Sequence, residues 1–589
     1  MARAVRFIAW RGPAVEGEFG AAVNIEAAVA AGRWYLLQSR PITTPEVSQM
    51  SVPSTAEGDD FPIVWQEPSD PELSWDRDDM HMPFALAPLA GDYIRVIGMG
   101  WGSRYQRFGL PISVGVRIWN GYAYFASRID APEAEHAAIE GRRLDAARAH
   151  ARIARRYWDT EAMPELAALY ERLTTLAAVG PPRVAAADAW EEAWRLSDRA
   201  WQIHFYAITG PYQALDDLAD LYEALMEEAS PGESLSLVQG SISVLHDVER
   251  GLEHLAELAS NEPALAAHLA LPDPATIDEL SGLLGHDAFK AALEEFLAVH
   301  GHLGQSFDDL ASPSWAEDPS LLLSELAVRV RRPGRTSGDR WARLVAEAAA
   351  LAEAARVRLA GKPLELEQFE QQLSLAREAG PLTETHNYWI DRMAQARLRR
   401  FVVHVGDLLA GEGLIADPLD VFYLHRDEVP AVLRAPTDQR ELVVRRQAEH
   451  AHWRSLKAPP SVGKVAPPSA SNRFEGARFD STEGDVLRGT GASAGVVRGP
   501  ARLVLSEADF GRVQPGDIIV CPSSNPSWVP LFAIAGGLVT DTGGVLSHAA
   551  VVAREFGLPA VVGTGDATTR IADGRIIEID GAGGLVRLL

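Results

Sequence analysis

The chain has 589 residues, 47% of them hydrophobic and 23% charged, which is enough for more than one hydrophobic core in a globular protein. Its formal net charge of −26 argues against nucleic acid or an anionic membrane as a partner, because both call for basic surface. The single cysteine, Cys521, rules out an intrachain disulfide, and no stretch has the length to span a bilayer, so the sequence reads as cytoplasmic.

Residues 1–45 end in the apolar run Trp34-Tyr-Leu-Leu followed by Arg40-Pro41, and read as the tail of a strand-containing domain. A linker rich in Pro, Ser and acidic residues covers 46–74. From 75 to 455 the pattern is largely α-helical: over 134–158, 185–228, 338–360 and 384–413, apolar residues recur every three to four positions. The exception is 92–126, where Val, Ile, Tyr, Phe and Gly around Asn120-Gly121 predict strands and a hairpin turn. Ala458-Pro-Pro and Ala466-Pro-Pro mark a second linker, 456–485. Over 486–589, short Val/Ile runs (496–505, 517–521, 537–540, 560–563, 575–580) alternate with Gly turns and two short helical stretches, the pattern of a compact α/β domain.

The most informative segment is Asp541-Thr-Gly-Gly-Val-Leu-Ser-His548. Gly543 and Gly544 permit a tight turn, Ser547 suits a helix N-cap, Ala549 to Glu555 reads as a short helix and Gly557 stops it. His548 then falls in the first turn, where free N–H groups and the helix dipole favour an anion. A neutral imidazole is a good nucleophile near pH 7, so His548 is the candidate to carry a phosphoryl group. Thr542, Gly543, Gly544, Ser547 and Arg554 form its loop and helix. A lone histidine usually only caps or packs; here the whole motif favours chemistry.

In the middle region, Glu384-Thr-His-Asn-Tyr-Trp-Ile-Asp-Arg392 is the most polar constellation on a helical pattern. Positions 384, 388, 391 and 392 are three or four apart and share a face, whereas His386 shares less of it. A hydroxyl acceptor needs a base, for which His386 and Asp391 are candidates, and a cationic clamp, for which Arg392 is the candidate. A solvated helical face is the alternative. His300 and His302 lack the further ligands of a zinc site.

Residues 486–589 resemble the swivelling phosphohistidine domain of the phosphoenolpyruvate synthase and pyruvate phosphate dikinase family, which includes rifampin phosphotransferase. Besides the histidine motif, the resemblance rests on Gly491-Ala-Ser-Ala-Gly-Val-Val-Arg-Gly-Pro-Ala, Pro515-Gly-Asp-Ile-Ile-Val, Asn525-Pro-Ser-Trp-Val-Pro-Leu-Phe and Ala560-Val-Val-Gly. By this resemblance His548 takes phosphate at one active site and delivers it at another.

Phe19-Gly-Ala-Ala-Val-Asn-Ile-Glu26 and Gly32-Arg-Trp-Tyr-Leu-Leu-Gln-Ser-Arg-Pro-Ile-Thr43 resemble the last stretch of the family's ATP-grasp domain. The resemblance implies that Glu26, Gln38 and Arg40 help hold ATP, with Glu26 also on Mg²⁺; without it, Glu26 and Arg40 read equally as a surface ion pair. It further implies that most of the ATP-grasp domain sits on a separate subunit, as in phenylphosphate synthase, and that the pyruvate barrel is missing. Trp75 through Pro88-Leu89, Asn120-Gly-Tyr-Ala-Tyr, His300-Gly-His-Leu-Gly and Asp420 through Glu428 resemble the acceptor-binding middle of rifampin phosphotransferase, although an arginine common near the start of the 384 helix gives way here to Thr383 and Thr385. The expected protein is therefore multidomain: a short ATP-grasp remnant, a helical domain for an apolar hydroxyl-bearing small molecule (phenolic, terpenoid or antibiotic-like), and an α/β phosphohistidine domain. A phosphorelay protein charged by another phosphoprotein and an inactive small-molecule binder are the alternatives.

Overall fold

The computed structural model describes residues 23–30, 33–41 and 61–589, apart from 80, 83, 227–232, 241–243, 270–286, 305–308, 332–336, 457, 465–483, 506, 525–527, 533 and 545–546; for 23–41, and for His548 among others, it describes backbone only. The chain divides into two units, Met1–Thr55 with Pro62–Trp65, and the remainder.

In the first unit, β1 (Val23–Ala30) and β2 (Arg33–Pro41) form an antiparallel hairpin. Glu26 pairs with Gln38 and Asn24 with Arg40, with a bulge between Glu26 and Ala27. Cross-strand partners share a face of a ribbon, and so do residues two apart, so Glu26, Gln38 and Arg40 occupy positions on one face. The side chains of these three candidates lie outside the described residues.

The middle of the second unit combines helices with a four-stranded antiparallel sheet of order β4-β5-β3-β6. Its strands are β3 (Ser74–Arg77), β4 (Ile112–Trp119), β5 (Tyr122–Ile129) and β6 (Ser461–Gly463). The expected hairpin turn is there: Asn120 and Gly121 both have positive φ, 49° and 78°, as a two-residue type I′ turn requires. The strand expectation fails over 92–107, which belongs to helix α1 (Pro88–Arg107). There Leu89, Ala90, Tyr93, Ile94, Val96 and Ile97 are buried at helical spacing. The glycines that suggested strands serve close helix packing instead: a Cβ on Gly100 would lie 2.9 Å from the backbone carbon of Trp201. Both stretches read as linkers also contribute order. Ser461–Gly463 pairs with β3, and buried Asp70 accepts hydrogen bonds from the Arg117 guanidinium at 2.9 Å.

Three long helices frame this region: α2 (Glu133–Ala151), α3 (Arg183–Leu225) and α4 (Ser337–Leu359). On α3, Trp190, Trp194 and Trp201 are fully buried in the main core. Leu382–His386, a π-helical turn at Asn387–Arg392, and α5 (Met393–Gly411) follow one another without a break.

The C-terminal region is one eight-stranded sheet, ordered β7-β14-β13-β9-β10-β11-β12-β8. The strands are β7 (Val486–Arg488), β8 (Thr490–Ser493), β9 (Val496–Leu503), β10 (Ile518–Cys521), β11 (Gly537–Thr540), β12 (Ala560–Val562), β13 (Ile576–Asp580) and β14 (Leu585–Leu588). The inner four, β9 to β12, run parallel. As expected for strands covered on both faces, β10, β11 and β12 are buried along their whole length. Helix α6 (His548–Phe556) crosses between β11 and β12. Among the described residues, no helix is long and apolar enough to cross a membrane.

Candidate functional site

The histidine motif occupies the carboxyl end of β11, the edge at which parallel α/β sheets bind ligands. Asp541 N–H donates to the Cys521 carbonyl and Thr542 N–H to that of Pro522, both at 3.0 Å, tying this loop to the one after β10. Gly543 has φ 106°, and a Cβ there would sit 2.8 Å from Ser547 Oγ, so the turn demands glycine. Ser547 caps α6, its hydroxyl accepting from Ala550 N–H at 3.4 Å, and Gly557 ends the helix in the left-handed region. Arg554 Nη1 donates to the Ala492 carbonyl at 3.0 Å, fixing the helix to β8. His548 is the first residue of α6, in the position the sequence predicts, and its imidazole lies outside the described residues. Below it, Asp541 accepts from Thr568 N–H at 2.9 Å, and burial pushes its carboxyl up to about 6.

A second constellation lies in the middle region. His386 and Asp391 meet, His386 Nε2 lying 3.9 Å from Asp391 Oδ2. Residues five apart on an α-helix point about 140° away from each other, given 3.6 residues per turn. The wider turn at Asn387–Arg392 brings them to one side, which is why helical periodicity alone separates them. Sequence reasoning missed the third member: His204 on α3 places Nε2 3.0 Å from Asp391 Oδ1. All three side chains are buried, at 3–6% exposure. No local motif marks His204; its signal is a polar position among the buried residues of α3, which it shares with Ser197.

His386 Nδ1 lies 2.8 Å from the Leu382 carbonyl and donates to it, which leaves the Nε2 lone pair toward Asp391. Burial pushes the imidazolium of His386 down to about 4, so the ring is neutral at pH 7. Burial also opposes charge on Asp391, but the adjoining His204 and His386 outweigh it and hold the carboxyl below its ordinary value. His81, bonded through Nδ1 to Asp78 at 2.9 Å, is close enough to influence the charge on both.

The other nominees lie apart. Arg392 is buried but donates to the Gly304 carbonyl at 3.3 Å, beside a small recess lined by His302, Ser314 and Gln395. Glu384 raises the Tyr212 phenol, behind the larger effect of burial. His300 Nδ1 is engaged by the Tyr388 hydroxyl at 2.8 Å.

Ser523, in the loop joined to Thr542 through Pro522, donates from Oγ to the Asp79 carbonyl at 3.2 Å. Asp79 is two residues from His81, which lies close enough to act on the charges of His386 and Asp391.

The family profile described as "PEP-utilising enzyme, mobile domain" matches residues 513–584, and that of the "Rifampicin phosphotransferase fourth domain" matches 206–384. The chain is 32% identical over 90% of its length to chondramide synthase of Chondromyces crocatus, covering 14% of that protein. It is 26% identical over 98% of its length to the uncharacterized phosphotransferase YvkC of Bacillus subtilis, covering 68% of it. A rifampicin phosphotransferase of a Streptomyces species is 31% identical over 68% of the chain, which spans 46% of that relative.

Proposed function

The chain belongs to the PEP-utilising phosphotransferase family, and from that premise we propose that it carries a phosphoryl group on His548 and delivers it to a hydroxyl of an apolar small molecule held in the middle region. The observation that carries this reading is the Ser523–Asp79 hydrogen bond, which ties the loop after β10 to the segment bearing His81, whose ring acts on the charges of His386 and Asp391. A phosphoryl group on the first residue of α6 meets the free N–H groups of the helix start and the positive end of its dipole. In the transfer, the acceptor oxygen bonds to phosphorus as the P–N bond to His548 breaks. The oxygen's proton passes to the cluster, where His386 and Asp391 are the bases nominated by sequence.

On the donor side, the proposal assigns charging of His548 to Mg-ATP bound by an ATP-grasp unit on a separate subunit. Bound Mg²⁺ would neutralise phosphate charge, with Glu26, Gln38 and Arg40 facing the nucleotide. Their shared face on the β1–β2 hairpin supports this fit.

The test is labelling with ATP carrying radioactive β-phosphate, using the chain alone and with an ATP-grasp protein, and His548→Ala as control. The expected result is acid-labile label that requires both His548 and the partner. Absence of label under every donor condition overturns the reading.

A further inference from the structure

We propose that His204, His386 and Asp391 form a binding site for one divalent transition-metal ion of the zinc type. Each offers one ligand atom, and the three atoms lie within 4.8 Å of one another, all on buried side chains. Zinc takes imidazole nitrogen and carboxylate oxygen at about 2.0–2.2 Å, so small side-chain rotations close this triangle onto an ion. The donor set is also selective. Two imidazoles with one carboxylate suit zinc and its neighbours in the first transition row, whereas Mg²⁺ and Ca²⁺ prefer oxygen alone.

Three further observations point the same way. The Leu382 carbonyl holds His386 Nδ1 at 2.8 Å, the outer-shell bond that typically fixes a metal-bound histidine's tautomer and aims its other nitrogen. Among the described residues, the ion-pair contacts of Asp391 are with His204 and His386, so the carboxylate and both rings converge on one point. The ligands also sit on helices, His204 within α3, His386 just before the π-turn and Asp391 within it, which keeps them at fixed separation.

Three protein ligands leave a zinc ion a coordination position open, the mark of catalytic rather than structural sites. Here the inference deepens, and rests on, the acceptor-side reading above: the ion would take the acceptor's hydroxyl oxygen at that position and make it more acidic, in place of a bare His–Asp base. Metal binding itself does not depend on that reading.

The experiment uses the full chain, stripped with a chelator and titrated with Co²⁺ and with Zn²⁺ against a chromophoric competitor. Expected are saturation at one ion per chain, visible Co²⁺ ligand-field bands that Zn²⁺ displaces, and a rise in Tm with Zn²⁺. His204→Gln, His386→Gln and Asp391→Asn should each weaken binding by more than the roughly 10–100-fold that loss of an outer-shell partner costs, while His302→Gln leaves it unchanged. No saturable binding by the wild-type chain overturns the proposal, and so does binding that survives the three substitutions. If those variants fail to fold, the wild-type Co²⁺ spectrum decides, because absence of tetrahedral-type bands sinks the site by itself. Labelling of His548 from ATP does not require the cluster, so failure of the metal site and failure of the phosphohistidine reading are told apart.

Discussion

Asp541 ends β11 at the entrance to the histidine loop, and its carboxyl is engaged by both the N–H and the hydroxyl of Thr568. Burial pushes its pKa from 3.8 in an open chain to about 6 in the fold, against the pull of those hydrogen bonds. A carboxyl whose folded pKa is raised binds its proton more tightly in the fold. Its contribution is therefore fully present below about pH 3.8 and is lost as pH rises through about 6. At pH 7 the ionised group costs on the order of 2–3 kcal/mol relative to the protonated one. Asp541→Asn keeps an acceptor for Thr568 N–H and removes the titration. Denaturant unfolding of both proteins between pH 4.5 and 7.5 should show the variant gaining on the wild type as pH rises, by about 2–3 kcal/mol across that window. Parallel stability curves would show that Asp541 titrates normally.

At the scale of elements, the turn and helix around His548 were the most legible part of the chain, because each residue meets a local demand. Gly543 at φ 106° is one such residue. Gly543→Ala introduces backbone strain of about 1–3 kcal/mol, and its Cβ would lie 2.8 Å from Ser547 Oγ, displacing the cap of α6. The variant should lose several degrees in Tm and show markedly slower His548 labelling, read by calorimetry and by the acid-labile phosphate assay. Wild-type labelling would mean that the turn only supports the fold. Asn120-Gly121 was legible for the same local reason. What sequence did not show depends on tertiary context. Helix α1 resembled strands because Gly98 and Gly100, which let it pack closely, and its branched residues also suit a sheet. The meeting of His386 with Asp391 depends on the π-turn, and that of Asp391 with His204 on a contact 187 positions away in sequence; no periodicity encodes either.

At the scale of the molecule, two contacts among the described residues help hold the phosphohistidine region on the middle region. One is the Ser523 hydroxyl on the Asp79 carbonyl. The other is Gly557, at the end of α6, where a Cβ would lie 2.9 Å from Nη2 of Arg343 on α4. The guanidinium thus lies against the helix's carboxyl end, where the dipole favours a cation by about 0.3–1 kcal/mol. Both holds are small, as they must be if the same region leaves this seat to be charged elsewhere. A carrier that visits two sites is charged in proportion to the time it spends undocked. Arg343→Glu puts an anion against the negative helix end, so the seated state becomes less populated. Two outcomes are expected: faster hydrogen exchange in 548–556 and in the facing part of 337–359, and a rate of ATP-dependent His548 labelling raised by roughly two- to fivefold. The exchange should also reverse its dependence on ionic strength, because salt screens an attraction in the wild type and a repulsion in the variant. Unchanged exchange with unchanged labelling would mean that Arg343 does not bias the seat, leaving Ser523 and the sheet edge to hold the region in place.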